Sequence, residues 1–165
     1  MPSARAIPTI IGIDLGTSNT AVSVVREGKV SVLAGPDGCK AIPSVVSFPH
    51  KGEGPPIVGA EARRRIATDP SRTISSPKRL LGRKFNDREV QSFIGGAAYR
   101  TEAADDGTVL VEMDGERYAM PQLCGFILDA ARKTAERQLD DVRLAVLAVP
   151  VSFDEGRCKE IGRAS

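Results

Sequence analysis

Residues 10–20 read IIGIDLGTSNT, and this stretch decides the fold. Its first half is an apolar, β-branched segment typical of a strand, and Asp14 stands where that strand ends. A turn follows in which Gly16 lets backbone amides approach an anion closely. The hydroxyl side chains that can donate to the same anion are Thr17, Ser18 and Thr20. The stretch therefore fits a phosphate-binding turn.

Asp14 adds a second feature, because a carboxylate at this strand end can hold a hydrated Mg²⁺ beside phosphates. The residues alone leave an alternative open: an ordinary hairpin, with Gly16 and Asn19 allowing positive φ and Asp14 capping the turn. A P-loop is excluded, because the chain contains no GxxxxGK[ST] motif.

Strands are predicted outward from this turn. Residues 21–25 and 29–33 flank Glu27-Gly28, so three consecutive antiparallel strands open the chain, and residues 44–48 form a further short strand. The more polar middle predicts helices at 60–67, 76–82 and 87–93, and a hairpin turn at Asp114-Gly115. In the helix at 76–82, Ser76 is the cap, Pro77 lies in the first turn and Gly82 ends it.

The last third carries the clearest periodicity. Residues 121–139 repeat apolar side chains at three-and-four spacing, which predicts an amphipathic helix. Residues 144–149, LAVLAV, form an uninterrupted apolar run. Such a run predicts a strand buried on both faces, central in a sheet that is packed against helices.

Composition excludes several classes of protein. The chain has 165 residues, 23 Lys+Arg against 21 Asp+Glu, 41% hydrophobic residues and 4% aromatic residues. It is too apolar for a disordered chain, and too nearly neutral and poor in aromatics to predict nucleic-acid binding. The widely spaced cysteines (Cys39, Cys124 and Cys158) fit a reducing compartment. No signal peptide or membrane span is recognisable, so we predict a cytoplasmic protein without a membrane partner.

Four stretches, taken together, resemble one family. Residues 11–20 closely resemble the first phosphate loop of the heat-shock protein 70 (DnaK-type) chaperones, which belong to the actin and sugar-kinase superfamily. The stretches IPSVVSF (42–48), PKRLLGR (77–83) and LAVPVSF (147–153) resemble that family's post-hairpin strand, lysine-bearing helix and strand-proline segment. They occur in family order and spacing, so the resemblance covers nearly the whole chain.

The resemblance implies roles for matching residues. Asp14 binds Mg²⁺ through water, and the residues holding the β- and γ-phosphates of ATP or ADP are Gly16, Thr17, Ser18 and Asn19. Lys78 reaches the γ-phosphate and helps to place the attacking water, so Lys78, Asp14 and Thr17 are the implied catalytic residues. Without the family, Lys78 is a solvated lysine on a basic helix.

A relay to the interdomain linker is also implied. Pro150 matches the proline that relays nucleotide state in this family, and Arg157 is the candidate for the arginine that works with it. The family pattern aligns with residues 153–163 only through a gap.

The implied fold is α/β: an actin-like, ribonuclease-H-like ATPase lobe with a mixed sheet and an inserted α+β subdomain. Residues 1–6 are a tail, and residues 7–165 are the first lobe of the nucleotide-binding domain. Residues 7–41 and 122–165 form its core, and the smaller inserted subdomain, 42–121, carries Lys78. The family's second phosphate loop and adenosine pocket come later than this chain extends.

The implied function is that of a chaperone and stress-response ATPase, which converts ATP and water to ADP and phosphate. Its partners are unfolded polypeptides, a J-domain co-chaperone and a nucleotide exchange factor. For this chain we expect a truncated N-terminal lobe, a fragment with weak ATP binding and negligible turnover. Alternatives are a non-catalytic interaction protein of the same fold and a metal-dependent nuclease that uses Asp14.

Overall fold

The computed structural model describes residues 9–149, 153 and 155–164. The strands of the described part are β1 (Thr9–Leu15), β2 (Asn19–Arg26), β3 (Lys29–Val32), β4 (Ile42–Pro43), β5 (Val45–Ser47), β6 (Ile57–Val58), β7 (Thr73–Ser75), β8 (Arg100–Ala103), β9 (Val109–Met113), β10 (Glu116–Ala119) and β11 (Val142–Ala148). The helices are α1 (Ala60–Thr68), α2 (Arg88–Ile94), α3 (Met120–Glu136) and α4 (Glu155–Ala164), with 3₁₀ turns at Pro70–Arg72 and Pro77–Arg79.

The largest sheet is mixed. Its order is β11-β1-β2-β3, and β4 pairs with the start of β2. Strands β1, β2 and β3 are antiparallel neighbours, whereas β11 runs parallel to β1. The predicted α/β class and the three opening antiparallel strands are both confirmed.

Helix α3 covers one face of this sheet. On β1, Ile11, Ile13 and Leu15 point toward the core and are buried, as alternation along a strand requires. The buried side chains of α3 that form the same core include Leu123, Cys124, Ile127, Leu128 and Ala131. Full burial of each large aliphatic side chain contributes about 1.5–3 kcal/mol, so this interface anchors the end of β1 firmly.

The opposite face of the sheet is open in the described part of the chain. Strand register places Ile10, Leu144 and Val146 on one face, together with Val25, Val30 and Val32. All six are exposed, from 40% at Val32 to 71% at Val30. These side chains are gathered on one face instead of being scattered singly, so they form an exposed apolar patch.

Strand β11 differs from its prediction. It is an edge strand of the described sheet, and Leu144 and Val146 are 53% and 66% exposed, so the expectation of a central strand buried on both faces was wrong. The apolar run shows only that both faces of the strand favour burial against neighbouring elements. Within the described residues only β1 pairs with this strand, and α3 packs mainly over β1 and β2.

Two smaller three-stranded sheets lie within residues 42–121, with orders β6-β5-β7 and β10-β9-β8. The hairpin predicted at Asp114-Gly115 joins β9 to β10, and both turn residues have positive φ, 53° and 83°. This range is the one predicted for the inserted subdomain. That domain division remains a prediction.

The helix predicted at 76–82 is reduced to the 3₁₀ turn Pro77–Arg79. Ser76 does not cap it: its backbone is left-handed, with φ of 56°, and its side chain makes no capping hydrogen bond. Its amide instead donates to the carbonyl of Ser44 at 2.9 Å, which ties the turn to the neighbouring β4–β5 segment. Pro77 and Gly82 lie at the start and end of the segment as predicted, with φ of 67° at Gly82.

A buried arginine links the two small sheets. The Arg72 guanidinium donates from Nε to the Phe48 carbonyl at 2.9 Å and from Nη1 to Asp114 Oδ1 at 2.7 Å. Its Nη2 donates to the Pro49 carbonyl at 2.6 Å and forms an ion pair with Asp114 Oδ2. These bonds hold the β9–β10 turn against the end of β5. The Arg72 hydrogen bond also lowers the pKa of the Asp114 carboxyl below its usual 3.8.

This lowered pKa predicts an acid-dependent loss of stability. The unfolded chain binds a proton at Asp114 more readily than the folded chain, so the stabilisation is present above pH 3.8 and is lost as pH falls through the lower folded pKa. In Asp114→Asn, the urea midpoint should be lower at neutral pH and should fall less between pH 5 and pH 2.5. Asp105→Asn, at an exposed carboxylate without an ion pair in the described structure, is the matched control. Parallel pH curves for Asp114→Asn and the wild type would contradict this role.

Candidate active site

The turn between β1 and β2 is closed by its own backbone. Asp14 is exposed at the end of β1, while the next side chain, Leu15, is buried in the core. The Gly16 amide donates to the Asp14 carbonyl at 3.1 Å. A Cβ built on Gly16 would lie 2.1 Å from the backbone oxygen of Asn19, so only glycine fits this turn.

Ser44 supports the turn from behind. This buried serine donates from Oγ to the Gly16 carbonyl at 2.9 Å, and its amide donates to the Ser18 carbonyl at 2.9 Å. Its Oγ also lies 3.0 Å from the Thr20 hydroxyl. Thr20 is fully buried, so the prediction that its hydroxyl serves an anion was wrong. The sequence offered one signal for Ser44, its place in the stretch 42–48, but no role followed from that.

The Gly16–Thr17 peptide is oriented by Ser44. In a planar trans peptide the carbonyl and the following N–H point in opposite directions. Since the Gly16 carbonyl accepts from Ser44, the Thr17 amide points away from Ser44, and it has no hydrogen-bond partner among the described residues. The side chains of Asp14, Thr17 and Ser18 likewise make no hydrogen bond or ion pair within the described part of the chain. These groups are available to a ligand.

Lys78 reaches the turn from 63 residues away. Its side chain is only 8% exposed, and its ammonium donates to the carbonyl of Leu15, directly beside Asp14. Burial lowers the pKa of this ammonium below its usual 10.5, while the neighbouring Asp14 and Cys124 act in the opposite direction. A cation held this deeply, and not on a solvated helix face, is typical of a functional group.

A cavity of about 830 Å³ opens beside Lys78. Its cationic lining residues are Lys78, Arg79, Arg83, Arg88 and Arg157. The one carboxylate of the described lining, Glu89, already pairs with Arg83 at 2.5 Å. The excess positive charge favours a multiply charged anion. Thr17 also lines the cavity, which connects it to the turn.

Comparisons with known proteins show the family of the chain. A family model described as Hsp70 protein matches residues 10–164. The chain belongs to the Hsp70 family. It is 39% identical over 166 residues to a mitochondrial-type heat shock protein 70 of Encephalitozoon cuniculi (strain GB-M1). The alignment covers 98% of this chain but 28% of that relative, so the chain spans less than a third of the relative's length. The family resemblance stated from the sequence is confirmed.

The predicted site residues of this Hsp70-family chain are distributed unevenly. The structure brings Asp14, Gly16, Thr17 and Ser18 together in one turn and adds Lys78 beside them. Asn19 begins β2 and is exposed. The relay residue Pro150 lies outside the described residues, whereas Arg157 lines the cavity.

A hydrated Mg²⁺ is compatible with the donor set of the turn. Asp14 is an exposed carboxylate that makes no ion pair in the described structure, and hydroxyl and amide donors for phosphate oxygens lie beside it. The residues from 9 to 149 and in α4 contain no group of three His, Cys, Asp or Glu able to enclose a metal directly. Mg²⁺ commonly keeps several waters and uses one or two carboxylates together with substrate phosphates, and the turn can provide such a carboxylate.

No helix of the described chain is both long and apolar enough to cross a membrane.

Proposed function

We propose that this chain is the first lobe of an Hsp70-type nucleotide-binding domain and that it binds Mg-ATP or Mg-ADP through the phosphates. The observation that carries the proposal is the buried Lys78 ammonium, which is held against the Leu15 carbonyl beside Asp14 and a turn with available donors. A stability role alone does not account for it, because burying a cation costs free energy. Family membership, which implies nucleotide binding with Mg²⁺, supports the same assignment.

Each group of the turn has a distinct task in this proposal. The Gly16 turn and the Thr17 amide approach the phosphate oxygens, and the hydroxyls of Thr17 and Ser18 donate to them. Asn19 completes the set implied by the family. Asp14 orients the waters of Mg²⁺, whose charge neutralises that of the phosphates when it is bound.

Lys78 provides the positive charge for the γ-phosphate. Its ammonium has three donors, of which the Leu15 carbonyl takes one. The remaining donors can bind a γ-phosphoryl oxygen and help to place the attacking water. The hydrolysis proposed for the whole protein, of ATP to ADP and phosphate, would then depend on positioning and charge neutralisation.

The domain division fits this assembly and is part of the proposal. A core of 7–41 and 122–165 supplies the turn, and the inserted subdomain, 42–121, supplies Ser44 and Lys78. The site then lies where the two parts meet. In the whole chaperone, the partners would be unfolded polypeptides, a J-domain co-chaperone and a nucleotide exchange factor, and the location would be cytoplasmic.

Titration calorimetry with Mg-ATP tests the proposal on the 165-residue chain. We expect saturable binding with a dissociation constant between about 1 µM and 1 mM. We also expect no measurable turnover, because one lobe supplies only part of the cleft that encloses a nucleotide in this family. Chelating Mg²⁺ in the same buffer should weaken binding and is the control. Sub-micromolar affinity would contradict the one-lobe proposal, and no heat at millimolar ATP would favour the non-catalytic interaction protein.

A further inference from the structure

Phe153 lies beside two cations in the cavity. The Lys78 ammonium sits over its ring at 5.3 Å from the centroid, and the Arg157 guanidinium sits over the same ring at 5.2 Å. Both distances are within the range of about 6 Å at which a cation is attracted by the negative face of an aromatic ring. The ring therefore contacts both the lysine of the candidate site and the side chain of α4.

This contact solves a particular problem of positioning. A lysine side chain has four rotatable bonds, and its ammonium is a point charge without a fixed fork of donors. The bond from Lys78 to the Leu15 carbonyl restrains the ammonium in one direction only. Further hydrogen bonds would restrain it more, but they would occupy the donors that a phosphate needs. An aromatic face attracts the ammonium without occupying any donor.

Arg157 connects the ring to the body of the protein. It lies on α4, whose Ile161 is buried in the hydrophobic core, and α4 packs against α3. The guanidinium over Phe153 can therefore fix the orientation of the ring relative to the core. The contacts form a continuous path from α4 through the ring to Lys78 and the end of β1.

We propose that Phe153 is a positioning residue: its ring, oriented by Arg157, holds the Lys78 ammonium at the phosphate-binding turn while leaving the ammonium donors available. The positioning of the Lys78 ammonium is a property of the protein without ligand, whereas the expected effect on ATP affinity rests on the proposed function. These two parts can be tested separately.

The first test is nuclear magnetic resonance of the full chain with isotope-labelled lysine. An ammonium stem above an aromatic face experiences the ring current, so the ε-methylene protons of Lys78 should resonate upfield of those of exposed lysines. Lys78→Arg assigns the signal. Phe153→Leu should abolish the upfield shift, and Phe153→Tyr should retain it. If Phe153→Leu does not fold, the wild-type spectrum still decides, because a Lys78 signal at the exposed-lysine position would overturn the proposal.

The cavity provides a matched control. Arg79 lies over Phe93 at 5.5 Å, a second cation–ring pair that does not involve Lys78. Phe93→Leu removes an identical ring from the same cavity and should leave the Lys78 signal unchanged. An equal loss of shift in both variants would overturn the proposal, because the effect would then not be specific to Phe153.

The second test compares nucleotides by calorimetry. Phe153→Leu should weaken Mg-ATP binding by about two- to thirtyfold, leave Mg-ADP binding nearly unchanged, and be rescued by Phe153→Tyr. Adding Phe153→Leu to Lys78→Met should cause no further loss. An altered ATP-to-ADP ratio without the ring-current shift would overturn the role of Phe153. The shift without any difference between nucleotides would contradict the proposed function and its consequence for ATP, while the contact would stand.

Discussion

Replacing Lys78 by methionine should weaken Mg-ATP binding about ten- to hundredfold and leave Mg-ADP binding within about twofold, since hydrogen bonds to charged groups contribute about 1.5–3 kcal/mol. The reason is selective contact: in the proposed site Lys78 meets the γ-phosphate, which ADP lacks. Methionine replaces the apolar stem of the lysine with one of similar size and removes the ammonium with its charge and donors. Calorimetric titration of both nucleotides measures the ratio directly.

Lys84→Met is the control for the loss of one positive charge. Lys84 is exposed, donates to the Asp106 carbonyl at 2.7 Å and is not part of the cavity lining. Its replacement should leave both affinities unchanged. If Lys84→Met reproduced the effect, or if Lys78→Met lowered ATP and ADP affinity equally, the γ-phosphate role of Lys78 would be contradicted.

Lys78→Met also distinguishes a role of Lys78 in nucleotide binding from a role in stabilising the fold. Burial lowers the pKa of Lys78, which means that the fold disfavours its charged form. Lys78→Met relieves this cost but also removes the hydrogen bond to the Leu15 carbonyl, so we expect the urea midpoint to change little even though ATP binding falls. A large drop in the midpoint would indicate that Lys78 serves mainly to stabilise the fold.

Sequence patterns predicted the local parts of this fold. The helix expected at 121–139 is observed as α3, Met120–Glu136, because its apolar spacing and the first-turn Pro121 act within a few residues. The hairpin at Asp114-Gly115 could also be predicted from the sequence, since both residues tolerate the positive φ that the turn requires.

Contacts between residues that are distant in sequence were harder to predict. The Ser44 hydroxyl forms a hydrogen bond with the Gly16 carbonyl, 28 residues away in sequence. No sequence pattern within either segment predicts that bond. Thr20 faces inward because it lies on the same buried face of β2 as Val22 and Val24, and its hydroxyl lies 3.0 Å from that of Ser44. The prediction that β11 is a central strand failed for a related reason. Its apolar run shows that both faces of the strand favour burial, but it does not show which elements lie beside the strand.

The candidate site combines both kinds of information. Asp14, Gly16, Thr17 and Ser18 are adjacent in sequence, so their grouping follows from one motif. The role of Lys78 came from the family resemblance, since by sequence pattern alone it was a solvated lysine. Its burial and its contact with the Leu15 carbonyl are properties of the folded chain. Phe153 had no role in the sequence interpretation, because only the fold brings its ring to Lys78.

Gly16→Ala should abolish binding of Mg-ATP and Mg-ADP alike. The new Cβ would lie 2.1 Å from the Asn19 oxygen and 3.3 Å from the Asn19 carbonyl carbon. Both atoms belong to the backbone, so no side-chain rotation relieves the overlap and the turn must open. Because both nucleotides carry the phosphates that this turn is proposed to hold, the loss should not discriminate between them, in contrast to Lys78→Met.

The strain of Gly16→Ala should also lower the free energy of unfolding by about 1–3 kcal/mol, as overpacking of a close-packed site does. Gly96→Ala is the matched control, since a Cβ at Gly96 meets no atom of the described residues within 4 Å. It should change neither the urea midpoint nor nucleotide affinity. At ligand concentrations where the wild type saturates, a folded Gly16→Ala chain that still binds ADP normally would show that the turn does not hold the phosphates. Loss of both nucleotides from a folded Gly16→Ala chain, together with loss of ATP alone from Lys78→Met, would assign the turn to the phosphates shared by ATP and ADP and the lysine to the γ-phosphate.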